Sequence, residues 1–128
     1  MGEVKMKTRR FTRSDKARFW IENYCHVPDG PNKGQKVILT PAEHMQLLRI
    51  YDMGELPSEP ISGALGAYLA LLHICSPEAL QQHPLRPDVE VDSWTIWRAA
   101  SPKLHEVLRR EGEHVVCPEL GTRYPSAA

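Results

Sequence analysis

The chain has 128 residues, of which 41% are hydrophobic and 25% charged, and this length and composition fit one globular domain. Three scattered cysteines are too few for a disulfide-stapled scaffold, and their odd number favours a reducing, cytoplasmic location. The longest apolar run, over 64–75, is shorter than the roughly 20 residues that a membrane-spanning helix needs, so no membrane contact is expected.

Charge is balanced over the whole chain but is divided unevenly along it. Residues 1–18 contain seven bases and two acids, whereas the rest contains nine bases and fourteen acids. A basic segment on a mildly acidic body predicts contact with nucleic acid or with an acidic protein surface. The candidate contact residues are Arg9, Arg10, Arg13, Lys16 and Arg18. The alternative interpretation is a solvated leader without a partner, and residues 1–11 are predicted to form a disordered basic arm.

The first helix is predicted from Thr12 to Cys25. Thr12 and Asp15 form a capping box, in which each side chain accepts a hydrogen bond from the other residue's backbone N–H. The apolar residues that follow recur at the spacing of one helix face: Ala17, Trp20, Ile21, Tyr24 and Cys25. This face is expected to pack against the core.

The second helix is predicted from Pro41 to about Asp52, after a short extended piece over 36–39. Thr40 caps it, and Glu43 completes a second capping box behind a proline at the first helical position. The side chains expected to face inward are those of Met45, Leu48 and Tyr51.

A third helix, over 63–75, is apolar nearly all round, which predicts that it lies at the centre of the domain. Shorter elements are expected after it: helices over 76–83, 93–97 and 102–112, and extended pieces over 89–91 and 114–117. The predicted fold class is therefore mainly α, a small single domain over 12–117 of four to six short helices with at most a minor β element. A loose C-terminal tail is expected over 118–128.

Between residues 19 and 41, several short motifs follow one another in a definite order. The stretch FWIENYCHVPDG over 19–30 is followed by Gly34-Gln35 and then by Leu39-Thr40-Pro41, which opens the second helix. Over about residues 17–52 this order resembles the extreme N-terminus of phage terminase large subunits. The family opens with an FIE-x-Y/L-C-x-(V/I)-P-x-G helix and turn, and continues with GQ-x-(hydrophobic)-x-L-x-P/D. The resemblance implies ATP-driven DNA packaging and packaging proteins as partners.

The chain departs from that family where the motor should lie. The family places a Trp-Gln pair at the start of the second helix, where the amide reads adenine, but this chain has Ala42-Glu43-His44. A phosphate-cradling loop needs Gly-x-x-x-x-Gly-Lys-Ser/Thr, whereas residues 60–67 contain two glycines three apart and no lysine. Without that cation no nucleotide hydrolysis is expected. The resemblance therefore predicts a relative that lost the motor, a non-enzymatic accessory protein of phage or prophage type without a cofactor.

A second functional interpretation rests on Trp94, Trp97 and Arg98. The two tryptophans lie three residues apart in a short predicted helix, and the arginine follows directly. Aromatic and arginine side chains dominate the hot spots of protein interfaces. This grouping predicts a protein–protein interaction module, a regulator or inhibitor with no nucleic-acid role. The alternative is that both tryptophans close the core.

A third interpretation, a small metal-binding protein, rests on three Cys/His pairs: Cys25-His26, His73-x-Cys75 and His114-x-x-Cys117. Structural zinc needs four ligands in short-spaced pairs, and only the last pair comes near that spacing. No metal site is therefore predicted, and the cysteines are expected to be buried thiols. Since no nucleophile lies in a recognisable arrangement with a base and an orienting group, no enzymatic activity is expected.

Overall fold

The computed structural model describes residues 11–75 and 87–125. The helices of this part are α1 (Arg13–Tyr24), α2 (Pro41–Leu47), α3 (Gly63–Cys75), α4 (Ser93–Ala99) and α5 (Pro102–His105). The strands are β1 (Ile61–Ser62), β2 (Val89–Glu90), β3 (Arg109–Glu111), β4 (His114–Cys117) and β5 (Thr122–Tyr124). β1 pairs with β2 in parallel, and β3, β4 and β5 form an antiparallel sheet in that order. The predicted helix over 76–83 and nearly all of the predicted arm lie outside the described residues.

The prediction of a mainly α fold is wrong. The structure is 46% helical and about 17% strand, with five helices and two small sheets in the part described, so it is a mixed α/β fold. The strands are two to four residues long, which is too short for the alternation of apolar and polar residues that reveals a strand in sequence. β3 is Arg-Arg-Glu and is exposed throughout, so its pairing with β4 defines it, rather than any apolar pattern.

The start of α1 is held from two directions. The predicted capping box between Thr12 and Asp15 is confirmed. In addition, Asp52 accepts a hydrogen bond from the Ser14 backbone N–H at 3.0 Å and another from the Ser14 hydroxyl. Burial acts to raise the pKa of Asp52, but the hydrogen bonds from Ser14 and Thr12 outweigh burial and lower it. The first turn of α1 is therefore fixed against the chain that follows α2.

The second helix does not continue to Asp52 as an α-helix. Its capping box is confirmed, but α2 ends at Leu47 and one π-helical turn follows over Leu48–Asp52. A π-helical turn contains more residues than an α-helical turn and so rotates the side chains that follow. Tyr51 is buried, as predicted, together with Leu47 and Ile50, whereas Met45, which was also predicted to face inward, is 52% exposed.

The prediction that the third helix is central is confirmed. From Leu65 to Leu72 every residue of α3 is buried, and the helix packs against α1, α4 and strands of both sheets. Gly66 lies near the start of α3, next to β1, which leads directly into this helix. A Cβ atom at this position would lie 2.6 Å from the carbonyl oxygen of Ile61, so the absence of a side chain lets β1 approach α3 closely.

The C-terminal part differs from the prediction in two ways. α5 ends at His105 rather than near Gly112, which instead has a φ of 63° and forms the turn of the β3–β4 hairpin. The segment predicted as a loose tail contains β5, and this strand is tied to the rest of the fold. The Thr122 hydroxyl donates to the Ile74 carbonyl at 2.6 Å, and the Tyr124 hydroxyl donates to the Val89 carbonyl at 2.7 Å.

Candidate functional site

The solvent-facing side of α1 carries exposed aromatic rings. Phe11 and Phe19 are 57% and 45% exposed, and their ring centroids lie 5.1 Å apart in an edge-to-face arrangement. The predicted apolar face of α1 is buried at Ala17 and Ile21, but Trp20 is only half-buried. Trp20 therefore lies at the border between the core and this exposed aromatic cluster.

Two lysines and one asparagine complete a depression of about 370 Å³ around these rings. The lining residues, together named the α1 surface, are Phe11, Lys16, Phe19, Trp20, Asn23, Tyr24 and Lys103. Lys103 comes from α5, and its Nζ lies 5.9 Å from the centroid of the Tyr24 ring. No carboxylate belongs to this set as far as the structure describes its lining. The α1 surface thus combines aromatic faces with the positive charges of two lysines.

The predicted basic residues do not form one stripe. Arg9 and Arg10 lie outside the described residues. Arg13 and Lys16 are exposed and lie three positions apart, so they are neighbours on the helix surface. Arg18 is half-buried, and two residues from Lys16 it points to another side of the helix. α1 therefore brings Lys16, but not Arg18, to the aromatic cluster.

A further exposed aromatic residue, away from the α1 surface, lies on α4. Trp94 is 49% exposed, with the guanidinium groups of Arg98 and Arg110 at 5.7 and 4.9 Å from its ring. Arg98 also binds Asp29 at 3.0 Å. The sequence predicted Trp94 and Arg98 but not Arg110, which β3 contributes from outside the helix. Trp94, Arg98 and Arg110 are named the Trp94 surface.

The structure separates Trp97 from this surface. Trp97 is half-buried and packs against the core, with its ring stacked on His105 at 4.2 Å between ring centroids. A ring nitrogen of His105 lies 2.8 Å from the Trp97 carbonyl oxygen. The predicted grouping of three partner-binding residues is therefore divided, because Trp94 and Arg98 contact each other while Trp97 helps to close the core.

This division predicts different stabilities for two matched variants. Trp97→Ala should lower the free energy of unfolding by about 1–2 kcal/mol, since it removes packed aromatic surface. Trp94→Ala should change it by less than about 1 kcal/mol, because its ring is half in solvent. Urea denaturation followed by far-ultraviolet circular dichroism measures both. An equal loss in the two variants would contradict the assignment of Trp94 to an open surface.

Two of the three cysteines, Cys25 and Cys117, are buried, and Cys75 is half-buried. Burial, and then the proximity of Cys75, raise the pKa of Cys25 well above its ordinary value. Burial, and then Cys117, raise the pKa of Cys75 to about 12. Such thiols stay protonated at neutral pH and are poor nucleophiles and ligands. Within residues 11–75 and 87–125, no three His, Cys, Asp or Glu side chains gather in a way that could hold a metal ion.

A smaller cavity, of about 200 Å³, lies between α3 and the start of β2. Tyr51, His73, Asp88 and Tyr124 contribute polar groups to its wall. The Tyr124 hydroxyl donates to the backbone of β2, and burial raises the pKa of Tyr51, so its hydroxyl stays protonated. At least one of the polar groups at this cavity therefore holds β5 against β2.

Comparison of the chain with protein-family models, with curated proteins and with solved structures finds no match. Of the helices that the structure describes, none has the length and apolar character needed to cross a membrane.

Proposed function

We propose that this protein is a non-enzymatic accessory protein that contacts nucleic acid through the α1 surface and the basic segment that precedes it. The observation that carries the proposal is the composition of the α1 surface, in which four aromatic rings surround two lysines without a described carboxylate. Aromatic faces beside positive charge are the usual elements of sequence-tolerant nucleic-acid binding. The resemblance of residues 17–52 to terminase N-termini favours a phage or prophage role in the cytoplasm, beside packaging proteins.

In the expected mode of binding, the lysines and the aromatic rings contact different parts of the nucleic acid. Lys16 and Lys103 contact phosphates at the rim of the α1 surface, while Phe11 and Phe19 pack against bases or sugars. Arg9 and Arg10 precede Phe11 in sequence and add charge next to the same site. With few phosphate contacts, little counterion release drives binding, so affinity is weak and log K falls only moderately with log salt concentration.

A pair of double variants tests this proposal. Replacing Lys16 and Lys103 by glutamine should weaken binding of a fluorescein-labelled oligonucleotide at low salt. It should also make the slope of log K against log salt concentration less steep by about 1.4, since two contacts to a single strand are lost. Fluorescence anisotropy over a series of salt concentrations measures both quantities.

The matched control replaces Lys33 and Lys36, two exposed lysines of the loop after α1, by glutamine. This variant carries the same change of net charge but should bind nearly as well as the unmodified protein. Equal weakening in the two double variants would show that the affinity depends on net charge alone and would contradict binding at the α1 surface. The absence of binding to any oligonucleotide at low salt would also contradict the proposal.

The second candidate function is a protein–protein interaction module that acts through the Trp94 surface. An exposed tryptophan flanked by two guanidinium groups has the composition of an interface hot spot, and this observation favours it. Under this function, replacing Lys16 and Lys103 should not change binding of the partner protein. The anisotropy titration therefore distinguishes the two candidates, because only the first requires those lysines.

A further inference from the structure

The shape of the α1 surface limits what can bind there. It is a depression of about 370 Å³, within the range of roughly 300–1,000 Å³ typical of pockets that hold small groups. The rings of Phe11 and Phe19 contact each other edge to face at an interplanar angle of 81°, so together they form an angled rather than a flat part of its wall. An occupant must therefore place a flat or apolar group into the depression.

The polar atoms at the rim favour a polyanion that carries bases. Lys16 and Lys103 provide positive charge from two helices. The Asn23 amide nitrogen donates to the Phe19 carbonyl at 2.8 Å, which leaves the amide oxygen as the atom that can accept a hydrogen bond from a ligand. Exocyclic amino groups of bases are suitable donors to it.

Duplex nucleic acid fits this site poorly. In a duplex the bases are stacked on each other, so they offer edges in the grooves and phosphates outside, but not their faces. A duplex also calls for a basic stripe or a helix that enters the major groove. On α1 the basic side chains do not form a continuous stripe, because Arg18 points away from Lys16. The exposed side of the helix is instead a hollow with phenylalanine rings at its rim.

We infer that the α1 surface selects single-stranded over duplex nucleic acid, with an unstacked base packed against the exposed phenylalanine rings and the flanking phosphates on Lys16 and Lys103. This inference rests on the proposed function, because it names the class of nucleic acid that the same surface takes. Stacking on aromatic side chains is available only to single strands and tolerates any base, so selection by strandedness rather than by sequence follows.

The test compares two fluorescein-labelled probes on the full chain at one low salt concentration: an oligothymidine strand of about 20 nucleotides and a blunt duplex of equal length. The oligothymidine is expected to bind at least about tenfold more tightly than the duplex. Phe19→Ala should weaken binding of the single strand about tenfold or more and leave duplex binding unchanged. Phe19→Leu keeps an apolar side chain without a ring and should lose the same preference.

Met45→Ala is the matched control, since Met45 is an exposed apolar residue of similar accessibility on α2. It should bind both probes as the unmodified protein does, and circular dichroism verifies that all variants are folded. Equal affinity for strand and duplex, or a preference that survives both Phe19 variants, would overturn the inference while leaving the proposed function in place. Failure to bind either probe would instead remove the proposed function itself.

Discussion

The Gly66→Ala variant is expected to unfold with a free energy about 1–2 kcal/mol lower than that of the unmodified protein. The added Cβ would lie 2.6 Å from the Ile61 carbonyl oxygen and 3.2 Å from its carbon, both of which are backbone atoms. Backbone cannot rotate away as a side chain can, so β1 must shift from α3, and overpacking of this kind typically costs about 1–3 kcal/mol. Urea denaturation measures the change.

The predicted change in the free energy of unfolding has the opposite sign to that of an ordinary glycine-to-alanine substitution in a helix. Replacing glycine by alanine inside a helix normally stabilises it by about 1 kcal/mol. The control is Ala64→Gly, at a half-buried position two residues earlier in α3, which should be destabilising by about 1 kcal/mol through propensity alone. If alanine proves better than glycine at both positions, the close approach of β1 to α3 is not what determines residue 66.

The second large effect is expected at Leu71→Ala. Leu71 is 0% exposed and lies in the middle of α3, where other elements pack on several sides. Removing three carbon atoms there leaves a cavity that the surrounding helices cannot fill, which costs about 2–5 kcal/mol for a buried leucine. The midpoint of urea denaturation should fall while its slope stays constant.

Met45→Ala again provides the comparison for Leu71→Ala. Met45 is 52% exposed, so its truncation should change the free energy of unfolding by less than about 1 kcal/mol. A loss at Met45 as large as that at Leu71 would place Met45 in the core, as the regular helical spacing had predicted.

The contrast between these two residues shows where the sequence is informative about the fold. α1 and α3 could be predicted because their signals are local: a capping box in one case, and apolar residues all round the helix in the other. The inward face of α2 was predicted only in part, because helical spacing alone does not show which of the neighbouring apolar positions the rest of the fold covers. The extended pieces predicted over 89–91 and 114–117 coincide with β2 and β4, but β1, β3 and β5 were missed, since pairing with another segment of the chain defines them.

The candidate sites were likewise predictable only in part. Lys16, Trp94 and Arg98 were identified by residue type and by their positions on predicted helices. Lys103 and Arg110 were missed, because each reaches its aromatic partner from a different element of the fold. Tyr24 and Lys103 are brought together when the Ser101 backbone N–H donates to the Tyr24 carbonyl at 3.1 Å, a contact between residues far apart in sequence.

The three tryptophans lie in three different surroundings. Trp20 lines the α1 surface, Trp94 lies in solvent between two guanidinium groups, and Trp97 is stacked on an imidazole ring. Their intrinsic ultraviolet emission should therefore differ in wavelength and yield. A ligand bound at the α1 surface should change the fluorescence of Trp20, and a ligand bound at the Trp94 surface should change the fluorescence of Trp94. The unmodified molecule thus carries its own optical indicator of which of the two surfaces has been covered.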